Sequence, residues 1–296
     1  MKIALVNDER WIEPADRSAY VRNILDEDAQ LERAFAAAGA STARVAWSDP
    51  HLDWTGFDAL LIRQTWDYFD RYDEFMRWLD RIEGAVRVVN PVDVIRWNGD
   101  KRYLVELADA GVAALPTRVV ARGSSAASLA TRMDAEGWDE VVIKPAVSGA
   151  GRETYRVARD DADGREPLWQ RLVAAEDMLI QPFAPAIVET GEVSLVVIDG
   201  RATHAVRKIA APGEFRVQDD HGGTVHPHEA TEAERAQAER AIARAPGSIA
   251  YARVDLVDTP DGPQVMELEL IEPELFFRHH PPAADALARA VLQKVR

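Results

Sequence analysis

The sequence predicts an α/β fold in which an N-terminal parallel sheet is followed by two mixed α+β lobes. Within the first hundred residues, short β-branched runs alternate with helical patterns, which is typical of βαβ units on a parallel sheet. From Asp100 onward the pattern changes, and the turn Thr259-Pro260-Asp261-Gly262 separates two strand-like runs, which predicts a β-hairpin. We therefore expect three domains, over residues 1–100, 101–180 and 181–296.

The N-terminal lobe is predicted to consist of alternating strands and helices. The strands cover residues 2–6, 44–47, 59–62 and 86–89, and the helices cover residues 19–38 and 72–82. The second helix is amphipathic because apolar side chains recur at helical spacing at Phe75, Met76, Leu79 and Ile82. Gly39 marks the end of the first helix, and Asn90-Pro91 interrupts the chain after the last strand.

The remainder of the chain is predicted to be richer in strands. These strands cover residues 117–121, 140–144, 155–158, 178–181, 194–198, 202–208, 252–257 and 264–268. Helices are expected over residues 101–110, around residues 168–174, and from Thr231 and Ala283 onward. Thr231 and Glu234 have the spacing of a capping box, which indicates a helix N-terminus.

The composition excludes several classes of protein. The 296 residues include no cysteine, which excludes disulfides, thiolate catalysis and thiolate metal sites. No segment approaches the roughly 18 consecutive apolar residues of a membrane span, and the first apolar run is too short for a signal peptide, so we expect a cytoplasmic protein without a membrane partner. A formal net charge of −15 argues against a nucleic-acid partner, which requires a concentrated basic face. Homo-oligomerisation is left open.

A candidate phosphate-binding loop follows the strand that ends at Lys144. The loop contains the small residues Ser148, Gly149, Ala150 and Gly151. Such a loop lets backbone N–H groups approach phosphate oxygens, with the lysine beside it as a fixed cation. It is not a Walker loop, because Gly-Lys-Ser/Thr is missing and no helix follows directly. An ordinary hairpin is the alternative interpretation.

A candidate metal site lies on the predicted hairpin near the C-terminus. Glu267 and Glu269 lie on one face of the second strand, and strand pairing brings Asp255 beside them, next to Arg253. Three converging carboxylates are costly unless a cation neutralises them, and oxygen ligands indicate Mg²⁺ or Mn²⁺. The alternative is a solvated strand face with alternating glutamates.

These parts, in this order, resemble the ATP-grasp superfamily, the fold shared by D-alanine–D-alanine ligase, glutathione synthetase and ribosomal-protein glutamate ligases. The resemblance covers nearly the whole chain. It implies an ATP-dependent C–N ligase that activates a carboxylate as an acyl phosphate, from which a nitrogen nucleophile displaces phosphate. The implied partners are ATP and a small amino acid-like substrate. The implied ion is Mg²⁺, with Mn²⁺ as the alternative.

The resemblance also implies which residues contact the nucleotide phosphates. Lys101 would be the first nucleotide-contacting lysine, and Lys144 the second, reaching the α- and β-phosphates. The loop with Ser148, Gly149 and Gly151 would be a flexible phosphate lid.

Further nucleotide contacts are implied in the C-terminal half. The adenine would meet the backbone of a hinge strand that contains Gln181, Pro182 and Phe183. Glu192 would bind the ribose hydroxyls, and either Arg207 or Lys208 would lie near the phosphates.

The predicted hairpin matches the triphosphate and metal pattern of the superfamily, with two departures nearby. The resemblance implies that Arg253, Asp255, Glu267 and Glu269 clamp ATP and its metal ion. Glu269 stands where most members have Asn, which we interpret as a variant because a carboxylate also binds Mg²⁺. Glu274 follows Pro273 where a small glycine is usual, which leaves the substrate end of this loop undefined.

Three segments resemble the glutathione-synthetase-like branch of the superfamily. They read RQTWDYFDRYDEFMRWLD, RKIAAPGEFRVQDDHGG and ELELIEPELFF. That branch includes the cycloserine synthetase of antibiotic biosynthesis, which makes ring closure of O-ureido-D-serine the preferred single reaction. The alternatives are an intermolecular peptide or amide ligase, a phosphotransferase that stops after one transfer, and a nucleotide sensor without turnover.

Two arginines are candidates for binding the substrate carboxylate. Arg63 follows a predicted strand, at the edge where open α/β sheets place ligand loops, and its alternative is an ion pair with Asp67 or Asp70. Arg216 lies in a long polar loop, where a surface position is the alternative. Asn98, which precedes the helix predicted from residue 101, is interpreted as a helix cap.

Overall fold

The N-terminal sheet is parallel, as the βαβ pattern predicts. The structure is a computed structural model that describes residues 1–16, 18–124, 127–218 and 221–296. The strands β1 (Lys2–Asn7), β2 (Ser41–Ala46), β3 (Ala59–Ile62) and β4 (Arg87–Val89) lie in the order β2-β1-β3-β4. The associated helices are α1 (Ala19–Ala37), α2 (Tyr72–Ile82) and α3 (Val92–Asn98). The α/β class is therefore confirmed.

A second sheet of four strands occupies the middle of the chain and is antiparallel. Its strands are β5 (Arg118–Val120), β6 (Glu140–Pro145), β7 (Tyr155–Ala158) and β8 (Met178–Pro182), in the order β5-β8-β6-β7. The helices of this region are α4 (Tyr103–Asp109), α5 (Leu129–Glu136), α6 (Ala162–Ala175) and α7 (Ala186–Glu189).

The third sheet has five antiparallel strands and contains the predicted hairpin. Its strands are β9 (Glu192–Ile198), β10 (Arg201–Ile209), β11 (Thr224–His228), β12 (Tyr251–Thr259) and β13 (Gly262–Glu269), in the order β11-β10-β9-β12-β13. The helices α8 (Glu232–Ile242) and α9 (Pro282–Val295) follow β11 and β13. Thr231 and Glu234 form the predicted capping box at the start of α8.

The first and third sheets share one apolar core, whereas the second sheet has its own. Leu5 of β1 and Phe35 of α1 pack in one cluster with Val196 of β9 and Leu287 of α9. The second sheet packs its own apolar residues against α5 and α6, around Trp169. The separate cores leave a cleft between the second sheet and the rest of the molecule.

Several sequence predictions differ from the structure in extent. The predicted helix over residues 101–110 begins only at Tyr103, and the helix predicted around residues 168–174 begins at Ala162, with Pro167 inside it. The short helix α3 and the strand β11 were not predicted, because each lacks a clear hydrophobic period. None of the helices in the described residues has the length and apolar content that a membrane crossing requires.

Candidate active site

A cavity of about 230 Å³ lies where the three sheets meet. It contains every sequence-predicted site residue except Arg63. These residues are Lys101, Lys144, Ser148, Gly149, Gly151, Gln181, Pro182, Phe183, Glu192, Lys208, Arg216, Arg253, Asp255, Glu267 and Glu269. Residues that are 168 positions apart in the sequence, Lys101 and Glu269, therefore face one space.

The carboxylates converge because the two strands of the hairpin pair in a specific register. Arg253 lies opposite Glu269 and Asp255 opposite Glu267, so that alternate residues of both strands share one face. Carboxylate oxygens of Asp255, Glu267 and Glu269 lie within 4.8 Å of one another. The predicted convergence is confirmed, and a set of oxygen donors at this spacing fits a hard divalent cation.

Burial and the neighbouring charges shift the pKa values of these carboxylates in different directions. Burial alone would raise the pKa of Asp255, but Arg253 and Lys208 outweigh it and hold the pKa below its usual range. Ser194 of the neighbouring strand donates a hydrogen bond of 2.6 Å to Asp255. Burial raises the pKa of Glu269 to about 7, with the Glu267 and Asp255 carboxylates adding to the shift against Arg253. A divalent ion would relieve this repulsion.

Two lysines of the cavity are already paired with carboxylates. The Lys101 ammonium lies 3.0 Å from Glu267 and also donates to the backbone oxygen of Ser148. Lys208 binds Glu192 and lies 3.5 Å from Asp255. Of the two residues considered for this position, the structure brings Lys208 into the cavity, whereas the Arg207 guanidinium bonds to the Thr190 carbonyl on the other face of β10.

Lys144 differs from the other cavity lysines in its pairing. Within the described parts of the chain, no ion pair or hydrogen bond engages its ammonium group. Burial lowers its pKa, while Glu267 acts in the opposite direction. A buried, unpaired cation beside a glycine-containing loop is suited to an anionic phosphate group.

The candidate lid runs against the N-terminal lobe. A Cβ atom at Gly149 would lie 2.4 Å from Cε1 of Phe69, so only glycine fits there without displacement. Gly151 has φ +69°, in the region that favours glycine. The Ser148 hydroxyl donates to the Arg152 carbonyl at 3.0 Å, which closes the loop on itself. Mobility of this loop stays a prediction.

The hinge strand borders the apolar end of the cavity. The Gln181 side chain is turned toward Thr117, to which it donates a hydrogen bond of 2.9 Å. Phe183 packs in an apolar cluster with Leu115 and Ile187, which also line the cavity. A flat, apolar space beside a strand backbone is suited to an aromatic base.

The prediction for Arg63 needs correction. Its side chain is fully buried outside the cavity, where Nη2 lies 2.5 Å from Glu27 of α1. The same nitrogen donates to the Pro273 carbonyl at 3.3 Å. The alternative pairing is also wrong, because Asp67 pairs with Arg71 and Asp70 approaches Arg152. A buried guanidinium pairs with the carboxylate that the fold brings to it, and sequence proximity does not select that partner.

Arg216 lines the cavity beside the lid, where its Cδ would lie 3.1 Å from a Cβ atom at Gly151. Its guanidinium forms a bidentate bond with Glu214, with a short side of 2.6 Å. Asp219 and Asp220, in the sequence segment that resembles the glutathione-synthetase-like branch, lie outside the described residues.

Other cavity residues were missed or misinterpreted from the sequence. Asn98 is not a helix cap; it ends α3 and bridges the Leu268 carbonyl and the Leu270 N–H, which fixes the end of β13. Tyr20 and Glu272, which were not predicted, also line the cavity, and so does Trp66, which follows the same predicted strand as Arg63. The only sequence signal for Glu272 was its place in the acidic run Glu-Leu-Glu-Leu-Ile-Glu, which period-two alternation assigns to the opposite face.

Comparisons with known proteins agree with this geometry. A family model described as the N-terminal domain of the D-cycloserine synthetase DcsG matches residues 3–90. A second, described as the ATP-grasp domain of prokaryotic glutathione synthetase, matches residues 107–258. The cycloserine biosynthesis protein DcsG of Streptomyces lavendulae is 33% identical over 277 residues, which cover 86% of this chain and 89% of that protein.

Solved structures show the same relationship. The crystal structure of D-cycloserine synthetase DcsG matches with a TM-score of 0.85 and 30% identity over 100% of both chains. D-alanine–D-alanine ligase from Bacillus anthracis, complexed with ATP, matches with a TM-score of 0.72 at 14% identity over 100% of this chain and 97% of that chain, which shows the fold alone.

The fold and the site define an ATP-grasp enzyme, an ATP-dependent C–N ligase that uses a divalent metal ion and a small substrate. Within that class, the chain belongs to the family of the cycloserine biosynthesis protein DcsG.

Proposed function

We propose that the protein closes the ring of O-ureido-D-serine to form D-cycloserine, with ATP converted to ADP and phosphate. The observation that carries this proposal is the 33% identity to a cycloserine biosynthesis protein over most of both chains. The cavity supports it because one end is apolar and the other combines cations with a cluster of carboxylates, as an ATP-dependent reaction of a small acid requires.

The nucleotide lies along the second sheet in the proposed complex. The adenine occupies the apolar end beside Phe183, and Glu192 reaches the ribose. Lys144 receives the phosphates because its ammonium is unpaired, and Lys101 assists by exchanging its contact with Glu267 for a phosphate oxygen. The lid that contains Gly149 then covers the phosphates.

The metal ion is held by Asp255, Glu267 and Glu269 in this proposal. All three donors are carboxylate oxygens, which suit Mg²⁺, with Mn²⁺ as the alternative. When bound, the ion offsets the charge that develops during phosphoryl transfer. The Arg253 guanidinium binds Asp255 and Glu269 and thereby orients both metal ligands.

The bonds that form and break follow from the chemical formulas of the substrate and the product. A carboxylate oxygen of the substrate attacks the γ-phosphorus, ADP leaves, and an acyl phosphate forms. The nitrogen attached to the side-chain oxygen then attacks the acyl carbon, and phosphate leaves as the ring closes. One water molecule then cleaves the bond between the ring nitrogen and the ureido carbonyl carbon, and the carbamic acid that is released breaks down to carbon dioxide and ammonia. The covered cavity protects the acyl phosphate from water.

Each of the three expected domains has a separate role in the proposed reaction. We propose that residues 1–100 contribute to the substrate side, residues 101–180 carry the lid, and residues 181–296 carry the metal site. A small-molecule ligase of this type is proposed to act in the cytoplasm, where ATP is available.

Release of ADP, measured against a panel of amino acids with Mg²⁺, with Mn²⁺ and with neither, tests the proposal. We expect O-ureido-D-serine to give ADP, phosphate, ammonia and D-cycloserine in equal amounts without a second amine. A requirement for an added amine would instead identify an intermolecular ligase. Formation of ADP and a stable phosphorylated substrate without free phosphate would identify a phosphotransferase.

A further inference from the structure

Most charged side chains that line the cavity are paired with a neighbour of opposite charge. Lys101 pairs with Glu267, Lys208 with Glu192, and Arg253 with Asp255 and Glu269. At the rim of the cavity, Arg216 pairs with Glu214, and Glu274 pairs with Arg278. Within the described parts of the chain, two Lys, Arg, Asp or Glu side chains of the lining lack an ion pair, namely Lys144 and Glu272.

Glu272 is an unusual carboxylate because it is both buried and unpaired. Its exposed fraction is 9%, and no other described residue donates a hydrogen bond to its side chain. Burial raises its pKa to about 8, with the Glu269 carboxylate contributing next. Removing a carboxylate from water without a partner costs several kcal/mol. A fold that keeps such a group at a ligand cavity is expected to bind a positively charged group there.

Glu272 does not belong to the metal group. The three carboxylates whose oxygens lie within 4.8 Å of one another are Asp255, Glu267 and Glu269. Glu272 lies beyond the end of β13 and lines the cavity together with Trp66 and Tyr20. The Trp66 indole N–H donates to the backbone carbonyl of Glu272 at 3.0 Å, which joins this aromatic residue to the backbone of Glu272.

The backbone around Glu272 is fixed from both sides. Arg63 donates to the Pro273 carbonyl, and the Leu275 N–H donates to Glu27 at 2.9 Å. Arg253 also approaches the Glu274 carbonyl, at 3.4 Å. The backbone next to Glu272 is thus held in one place before any ligand arrives, which limits the entropy lost on binding.

We propose that Glu272 receives the α-ammonium group of the amino-acid substrate, with the rings of Trp66 and Tyr20 beside it. Lys144 and Glu272 then match the two charges that the reactants bring, since ATP supplies anionic phosphate and the amino acid supplies a cation. This inference rests on the proposed function in one respect, that the substrate is an amino acid.

The test combines a change in the protein with a change in the ligand. The ligand pair is O-ureido-D-serine and the same molecule with hydrogen in place of the ammonium group. For the unchanged protein we expect the kcat/KM of ADP release to fall by about tenfold to a hundredfold when the ammonium is removed, the range for a hydrogen bond to a charged group. In Glu272→Gln, we expect a similar fall for the ammonium-bearing substrate and little further loss for the deamino acid, with the KM for ATP unchanged.

Two further variants serve as controls. Glu272→Asp keeps the charge and should retain a preference for the ammonium-bearing substrate. Glu274→Gln removes a charge two positions away that is already paired with Arg278, so its ratio between the two ligands should stay near that of the unchanged protein. Glu272→Gln is expected to fold, with a melting temperature that is not lowered, because the neutral amide replaces a carboxyl group whose pKa burial already raises to about 8.

Several outcomes would overturn the inference. Equal losses for both ligands in Glu272→Gln would show that the carboxylate acts on proton transfer or metal binding. A shifted Mg²⁺ requirement would have the same meaning. Turnover of another amino acid but not of O-ureido-D-serine would reject only the proposed substrate, and the ligand comparison would then be made with that amino acid and its deamino form. Turnover of no amino acid in the panel would reject both proposals.

Discussion

At the scale of single residues, the charged side chains of the cavity form two groups. Some pair with each other, and the others have no ion-pair partner among the described residues. Lys101, Lys208 and Arg253 bind carboxylates of the same cavity, so that their sites are neutralised in advance. Lys144 and Glu272 have no such partner in the described residues. A ligand that engages an unpaired buried charge breaks no existing ion pair, which concentrates binding energy at these two positions.

We expect Lys144→Met to weaken ATP binding by about tenfold or more, the cost of losing hydrogen bonds between a charged donor and phosphate. Methionine preserves the apolar stem, so the fold should be retained. Calorimetric titration with a non-hydrolysable ATP analogue measures the effect. Lys294→Met is the matched control, because Lys294 lies on α9, pairs with Asp199 and does not line the cavity. An ATP affinity equal to that of the control would remove Lys144 from the nucleotide site.

We expect Glu267→Gln to raise the Mg²⁺ concentration that supports half-maximal activity and to lower the maximal rate. The change removes one anionic ligand from the carboxylate group and one partner of Lys101. Activity measured across a Mg²⁺ titration gives the result. Glu239→Gln, on the exposed face of α8, removes the same charge elsewhere and should leave the titration unchanged. If both variants titrate alike, these glutamates form only a polar strand face.

At the scale of elements, the site depends on three backbone features that meet at the cavity. The β12–β13 register faces the carboxylates toward one another. The lid passes so close to Phe69 that a side chain at Gly149 would collide with the ring. The segment after β13 is held by Arg63 and Glu27, and within it Phe276 adopts φ +51°, which is uncommon for a residue with a side chain.

We expect Gly149→Ala to reduce ATP affinity and kcat while the protein stays folded. The added Cβ would lie 2.4 Å from Phe69, whose ring is buried, so the lid must shift away from the N-terminal lobe. Gly164→Ala, in α6, meets no atom within 4 Å and should be neutral or slightly stabilising. The ATP affinity and kcat of the two variants, compared with those of the unchanged protein, measure the effect. Equal kinetics would mean that Phe69 yields and that the lid position does not limit the reaction.

We expect Arg63→Met to destabilise the protein by about 3–5 kcal/mol, because it leaves Glu27 as a buried carboxylate without its cation. The double change Arg63→Met with Glu27→Gln should recover part of this loss, since no uncompensated charge remains. Denaturant unfolding of the single and double variants measures both quantities. A single variant as stable as the unchanged protein would show that Arg63 is not needed to neutralise Glu27.

At the scale of the whole molecule, negative charge is abundant, and some of the carboxylates are buried. The net charge of −15 is accompanied by several buried carboxylates that burial makes more difficult to ionise. Burial is the leading cause that raises the pKa of Glu27, Glu192 and Glu269 to about 7 and that of Glu272 to about 8. Ionising these buried carboxylates near neutral pH therefore lowers the stability of the ligand-free protein, and bound cations reduce this loss.

We expect the melting temperature of the ligand-free protein to fall as pH rises from about 5 to 8. A carboxylate whose pKa is higher in the folded state stabilises that state below its unfolded pKa, and the stabilisation is lost as pH rises through the folded value. His204 acts in the opposite sense, because burial lowers its pKa to about 4, but it is outnumbered by the four glutamates. Added Mg²⁺ should flatten the profile. A melting temperature that rises steadily over this range would contradict these pKa directions.

The fold class and much of the site could be predicted from the sequence. Hydrophobic periods and β-branched runs predicted the parallel sheet, and a turn of proline, aspartate and glycine predicted the hairpin. Alternation along that hairpin placed Glu267 and Glu269 on one face, because the side-chain period of a strand is fixed at two residues. The resemblance to a known superfamily added candidates for nucleotide contacts, among them Lys101, Glu192 and Lys208.

The pairing of the buried charges could be seen only in the folded molecule. Glu27 is 36 residues from Arg63, and Glu272 lies beyond the end of β13, so no local period indicated their roles. Partners of buried charges are chosen by how the sheets pack and by the cost of leaving a charge unpaired, both of which are properties of the folded chain. For that reason the sequence misassigned Arg63 to the substrate and missed Glu272 at the cavity.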